Sequence, residues 1–148
     1  MAKIYQSAVI PAPVADVWQV AGDYARIYVF HPAVKSTKIE AGPAADQVGS
    51  IRQCTLEDGA QLLEKQTARS DTEHTYSYAI TESPMPMKNY EGTVRLRPIT
   101  DSDTTFIEWS ASFDPDPEVA DQLPGMVSEL VAAGLESLKT RFAGGKTA

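Results

Sequence analysis

The spacing of apolar residues switches between two periods along the chain. Lys3 to Ile10 alternates loosely and is rich in Ile, Tyr and Val, the pattern of a strand, and Pro11-Ala12-Pro13 stops it because proline brings no ladder N–H. Val14, Val17, Trp18 and Ala21 then fall at helical spacing, which predicts a short helix over 14–21. Asp23 is placed to cap a second short helix reaching about Tyr28, and Phe30-His31-Pro32 ends it. Six strand-like runs follow, Val34 to Ala41, Val48 to Leu56, Ala60 to Ala68, Glu73 to Thr81, Tyr90 to Pro98 and Thr104 to Phe113, separated by Gly, Asp, Ser and Pro clusters. They predict an antiparallel meander. From Leu123 to Phe142 the helical period returns, with Met126, Val127, Leu130, Val131, Leu135, Leu138 and Phe142 on one stripe and Pro124 tolerated in the first turn.

A helix of that length, about 30 Å, buries its stripe only against the sheet. The expected fold class is therefore α+β: a curved seven-stranded antiparallel sheet round one long C-terminal helix, with two short helices after the first strand. A twisted sheet curled round a helix leaves a hollow between them. The expected unit spans residues 1–142, and 143–148, Ala-Gly-Gly-Lys-Thr-Ala, reads as a flexible tail without residues large enough to pack.

Register arithmetic then brings polar residues together. If Gly59 takes the left-handed bulge position after a type I turn at Glu57-Asp58-Gly59, Leu56 faces Ala60 and Arg52 faces Glu64. A turn centred on Asp71 places Glu64 opposite Tyr78, and one centred on Pro84 places Tyr78 opposite Tyr90. Side chains sharing the face of Tyr90 are Gly92, Val94 and Leu96, against Glu91, Thr93, Arg95 and Arg97, so Tyr90 points inward. Tyr78 shares its face with His74, Tyr76 and Ile80, and Trp109 with Ile107, Ala111 and Phe113; both point inward as well. Arg52, Glu64, Tyr78 and Tyr90 form the candidate catalytic set. Tyr76, Trp109, Met126 on the helix stripe, and Met85 and Met87 at the mouth loop Ile80 to Lys88 are the candidate ligand contacts.

Two readings of the polar set are open. A carboxylate held by a guanidinium beside two phenols can move a proton or bind the polar end of a small apolar molecule. Equally, a buried Arg and Glu pair can simply satisfy itself, with the tyrosines as core.

Composition narrows the partners. A net charge of -7 leaves no basic cluster for a phosphate backbone or an anionic membrane surface, and no apolar run approaches the roughly 18 residues of a membrane span. Nucleic acid and membrane insertion are not expected. One cysteine, Cys54, excludes an intrachain disulfide, and the first residues carry no basic segment followed by an apolar core, which reads as cytoplasmic. Cys54 within a strand is expected to be buried filler. His31 and His74 stand alone, without ligand spacing, so no metal is expected. There is no glycine-rich phosphate loop, and no cofactor is expected. No exposed apolar strip demands a dimer, and a homodimer is left open.

The stretches VGSIRQCTLEDGAQLLEKQTA, YSYAITESPMPMKNYEGTVRLRP and FIEWSASFDP, with PAPVADVW near the start, resemble the START-like superfamily, in its bacterial polyketide cyclase/dehydrase branch. The likeness covers Ile4 to Phe142. It implies the helix-grip fold around an apolar cavity. Arg52, Glu64, Tyr78 and Tyr90 look like the polar pocket set of plant lachrymatory factor synthase, which rearranges a sulfenic acid by proton transfer. Met87-Lys88-Asn89-Tyr90 is similar to a segment of the abscisic acid receptors, but Leu56-Glu57-Asp58-Gly59 replaces their gate loop and Ser83-Pro84-Met85-Pro86 their latch. Three functions are compatible with these residues: a carrier for a small, mostly apolar molecule with a polar head; a cyclase, dehydratase or isomerase in which Glu64 moves a proton while Arg52 and Tyr90 polarise an oxygen; and a regulatory partner whose mouth closes on ligand.

Overall fold

The computed structural model describes residues 1–144. The last residues of the tail read from sequence, 145–148, lie outside it. Seven strands, β1 (Ala2–Ile10), β2 (Val34–Ala41), β3 (Ile51–Leu56), β4 (Gln61–Ser70), β5 (Thr75–Glu82), β6 (Met87–Ile99) and β7 (Thr104–Pro115), form one antiparallel sheet in the order β1-β7-β6-β5-β4-β3-β2. Helix α1 (Val14–Ala21) follows β1, and α2 (Leu123–Phe142) closes the chain. The expected second short helix is only a 3-10 turn, Ile27–Val29; the side chain of Asp23 does not cap it, and its entry is at Arg26. The arrangement is the helix-grip fold that the resemblance implies. Among the described residues no helix is long and apolar enough to cross a membrane.

The inner face follows the period-two rule. Along β6 Tyr90, Gly92, Val94 and Leu96 are buried while Glu91, Arg95 and Arg97 are exposed. On β7 Thr105, Ile107, Trp109, Ala111 and Phe113 are buried. Helix α2 packs chiefly against β1 and buries Leu123, Val127, Val131, Gly134, Leu135, Leu138 and Phe142. Each fully buried large apolar side chain contributes about 1.5–3 kcal/mol, so this stripe is what fixes the helix on the sheet. Met126 is an exception to the expected stripe: it is 58% exposed, because at the start of α2 it stands on the side away from the sheet.

Register confirms one expected pair and corrects two. Gly59 has φ +91 and the Gly59 N–H donates to the Leu56 carbonyl at 2.9 Å, the expected turn, and Arg52 faces Glu64. Glu64 faces Ile80 rather than Tyr78, and Tyr78 faces Gly92 rather than Tyr90. The turn after β4 occupies 71–74, not a loop centred on Asp71, and a four-residue loop on its own would reverse the side-chain faces of β5 relative to β4. An irregularity between Gln66 and Ala68 inserts one residue and restores them. The polar residues thus keep their common face but are staggered along it. Strand β6 also begins earlier than expected, at Met87, shortening the Pro-rich loop.

Candidate functional site

Between the inner face and α2 lies a cavity, partly open to solvent, with about 80 Å³ of accessible space. Arg52 and Glu64 reach it from β3 and β4, Tyr78 and Tyr90 from β5 and β6. Trp109, Met85 and Met87 line it too. Tyr76 and Met126 do not. Tyr76 is 2% exposed and packs behind the arginine, among Tyr24, Tyr78 and Trp18, while Met126 faces solvent. The remaining wall is mostly aliphatic, with Leu62, Ile80, Val127 and Leu130 among its residues.

Arg52 is 1% exposed, and its donors are engaged by the protein itself. Nε donates to Oε1 of Glu64 at 2.7 Å, Nη2 pairs with the same oxygen at 2.7 Å, and Nη1 donates to the Tyr24 carbonyl at 3.2 Å. The guanidinium plane lies 4.0 Å from the Tyr24 ring centroid and 5.2 Å from that of Tyr78. Burial by itself would lower the Arg52 pKa; the Glu64 carboxylate outweighs it and holds the group well above its ordinary value. Arg52 therefore stays protonated against the Glu64 side chain.

Tyr24, absent from the expected set, completes this cradle: its hydroxyl donates to the Glu64 backbone carbonyl at 2.8 Å, so it clasps both sides of the ion pair. Burial raises its phenol well above the ordinary range. Its position between two short helical elements carried no face signal. His31, dismissed as a metal ligand, is a wall residue: Nδ1 accepts the Ala33 N–H at 3.2 Å, and the ring stands edge-on to Trp109 at 5.9 Å between centroids. Burial, reinforced by the Arg52 charge and opposed by a hydrogen bond to the Leu130 carbonyl, lowers its pKa to about 4. The signal for His31 would have been the following proline, which fixes the chain direction but not the ring's neighbours. Among the described residues no group of three or more His, Cys, Asp or Glu side chains is placed to hold a metal.

A second polar group is a chain of aromatic side chains. Trp109 Nε1 donates to the Tyr78 hydroxyl at 3.1 Å, and the Tyr78 and Tyr90 rings lie 6.1 Å apart between centroids. Tyr90 stacks on Phe113 with centroids 5.5 Å apart, and burial raises both phenols. Gly92 makes the arrangement feasible: a Cβ there would lie 2.5 Å from Cζ of Tyr78. Asn89, with φ +57, forms part of an irregularity between β6 and β7 just before Tyr90 and donates to Asp114 at 2.8 Å, which sets the direction in which Tyr90 leaves the strand. Cys54 donates weakly to Glu64 Oε1 at 3.8 Å, and burial pushes its thiol up to about 12, so it is an inert wall residue at neutral pH.

One asymmetry has chemical content. All hydrogen bonds to the Glu64 side chain reach Oε1, and Oε2 receives none from the described residues. Thr37 Oγ1 is the one fully buried side-chain polar atom among those residues that lacks a partner, so Oε2 retains contact with the hollow. The site thus offers one free carboxylate oxygen and one phenol at its polar end, inside an aliphatic wall.

Solved structures are similar over nearly the whole chain. Protein XoxI of Bacillus cereus shares 26% identity at a TM-score of 0.88, with 97% of each chain covered. A Bacillus thuringiensis protein shares 27% at 0.86, covering 95% of this chain and 98% of its own, and a Nitrosospira multiformis protein shares 29% at 0.84, with 97% of each chain covered. No curated protein matches. The family described as polyketide cyclase / dehydrase and lipid transport matches residues 1–143, a match to the family as a whole that does not single out lachrymatory factor synthase. The chain belongs to this polyketide cyclase / dehydrase and lipid transport family, within the START-like superfamily.

Proposed function

We propose that this protein binds a small, mostly apolar molecule with a polar head in the cavity, as a carrier or binding protein. The observation that carries the reading is the wall itself: aliphatic and aromatic surface surrounds an ion pair whose cation is already paired with Glu64 and hydrogen-bonded to the Tyr24 carbonyl. Burying a ligand there gains about 25 cal/mol per Å² of apolar surface, and the few polar groups left free orient it. With about 80 Å³ of accessible space, the ligand is either compact or extends out through the open side of the cavity.

A second reading is favoured by one feature, the free Oε2 of Glu64. A carboxylate oxygen facing a cavity can take a proton from a bound molecule while the Tyr90 hydroxyl donates to a developing oxyanion, a proton-transfer step of the isomerase or dehydratase kind. The family description, cyclase, dehydrase and lipid transport, accommodates both.

Native mass spectrometry of the purified protein, followed by solvent extraction, identifies what the cavity retains. Incubation of that molecule with fresh protein then separates the readings: recovery unchanged supports a carrier, whereas conversion that Glu64→Gln abolishes supports the enzyme. A protein that retains no molecule and takes up no apolar compound from a panel refutes the binding reading.

A further inference from the structure

The hydrogen-bond inventory of the cavity decides what kind of polar head it accepts, an inference that rests on the binding reading above. A cavity containing an arginine would ordinarily be taken as a carboxylate or phosphate site. Here the geometry opposes that. Nε, Nη1 and Nη2 of Arg52 all have protein acceptors, the Tyr76 hydroxyl interacts with the same group, and Tyr24 covers one face of the guanidinium. An incoming anion would have to displace Glu64, leaving a buried carboxylate without a partner, which is strongly unfavourable. It would also bring a negative charge beside Oε2.

The charges in the wall balance without a ligand. Arg52 and Glu64 cancel, His31 stays neutral down to about pH 4, and the phenols are neutral. A charged guest would therefore be uncompensated in a site lined mostly by apolar groups.

Glu64 Oε2 and the Tyr90 hydroxyl are the polar groups the cavity offers a guest. Glu64 Oε2, as a carboxylate oxygen, only accepts. The Tyr90 hydroxyl lines the cavity and can donate to a guest, while the Tyr78 hydroxyl already accepts from the Trp109 indole N–H.

We propose that the cavity selects a neutral molecule whose head carries a hydroxyl or comparable N–H or O–H group, donating to Glu64 Oε2 and accepting from the Tyr90 hydroxyl, and that it discriminates against carboxylates of the same skeleton. A single hydroxyl meets both demands. A hydrocarbon of the same shape leaves Oε2 and the Tyr90 proton dry and unpaired, and is rejected for that reason rather than for size.

Three probes of one skeleton test this: naphthalene, 2-naphthol and 2-naphthoate, titrated into the full-length protein at pH 7 and followed by amide shifts of Met87, Tyr78 and Tyr90 in NMR spectra. The expected order places 2-naphthol first, about tenfold or more tighter than either of the others. Tyr90→Phe keeps the stack on Phe113 while removing the donor, and should lower 2-naphthol affinity about tenfold with naphthalene unchanged. If 2-naphthoate or naphthalene binds as tightly as 2-naphthol, the head-group assignment is overturned while the binding reading stands. If none of the three shifts a cavity resonance, the binding reading fails and the assignment falls with it.

Discussion

His31 offers the most direct quantitative check on the electrostatics of the cavity. Its imidazole is 7% exposed, wedged between Trp109, Phe30 and the backbone of α2 at Gly134, with Arg52 and Glu64 as the charged groups of the adjoining wall. A pKa lowered from 6.5 to about 4 means that the unfolded chain binds a proton between those values that the native chain does not. Stability therefore rises with pH across that window: the contribution is fully present above pH 6.5 and is lost as pH falls toward 4. At ~1.36 kcal/mol per unit the whole interval is worth roughly 3 kcal/mol, of which about 2 kcal/mol is gone by pH 5.

Other carboxylates also respond to acid, so the measurement is a difference. Urea unfolding of the native chain and of His31→Asn, from about pH 7.5 to about 4.5, gives two stability curves. Asparagine retains an acceptor near the Ala33 N–H and cannot titrate. The variant is expected to be the less stable at about pH 7.5, and the gap should shrink by about 2 kcal/mol by pH 5. Carbon-detected NMR of the ring should place its midpoint near pH 4. A midpoint near 6.5, or a gap that does not vary with pH, would refute the reasoning, because a solvated imidazole would then occupy the site.

The remaining predictions concern the ion pair and the helix contact. Arg52→Met alone should cost about 3–5 kcal/mol in urea unfolding, since it strands Glu64, whereas Arg52→Met with Glu64→Leu should recover most of that loss and still bind no polar-headed probe. Equal destabilisation by the single and double variants would mean that the pair is not the closed unit described. Gly134→Ala sets two magnitudes against each other: alanine gains about 1 kcal/mol of helix propensity, but its Cβ would stand 2.8 Å from Cδ2 of His31 and 3.2 Å from Trp109, an overpacking of about 1–3 kcal/mol. Net destabilisation with an altered Trp109 fluorescence spectrum is expected, and a more stable variant with unchanged fluorescence would contradict it.

Elements defined by long periodic runs were legible in the sequence. The bounds of α2, Leu123–Phe142, and of β2, Val34–Ala41, match the expectation, as do the inward faces of Tyr78, Tyr90 and Trp109. What escaped depends on contacts between segments far apart in the chain. Tyr24 belongs to the site only because β3 and β4 bring Arg52 and Glu64 under it, and no local pattern encodes that. Met126 lies at the edge of the apolar stripe and is exposed, while the buried band of α2 runs through Leu123, Val127, Val131, Leu135, Leu138 and Phe142. Tyr76 was correctly placed inward yet lies behind the arginine rather than beside the cavity, because inward-facing positions at this end of the sheet are filled by Trp18 and Tyr24.

The shifted register between β4 and β5 has a physical cause. The loop length assumed between these strands was wrong, yet the faces of Glu64 and Tyr78 came out right, because the irregularity near Thr67 offsets the even loop. Burial supplies the driving force for that compensation. Without the extra residue, Leu62, Glu64 and Gln66 of β4 would turn to solvent and Leu63, Lys65 and Thr67 would turn inward, because β5 is held by its regular pairing with β6. Burying the Lys65 charge without a partner costs far more than one unpaired ladder position at about 1 kcal/mol. Face is thus held more strongly than register, and the resulting stagger serves the proposed binding site. Had Tyr78 stood directly opposite Glu64, its hydroxyl would have been drawn to the carboxylate; moved along the strand and laid over Gly92, it accepts from Trp109 instead and leaves Oε2 free to meet a guest.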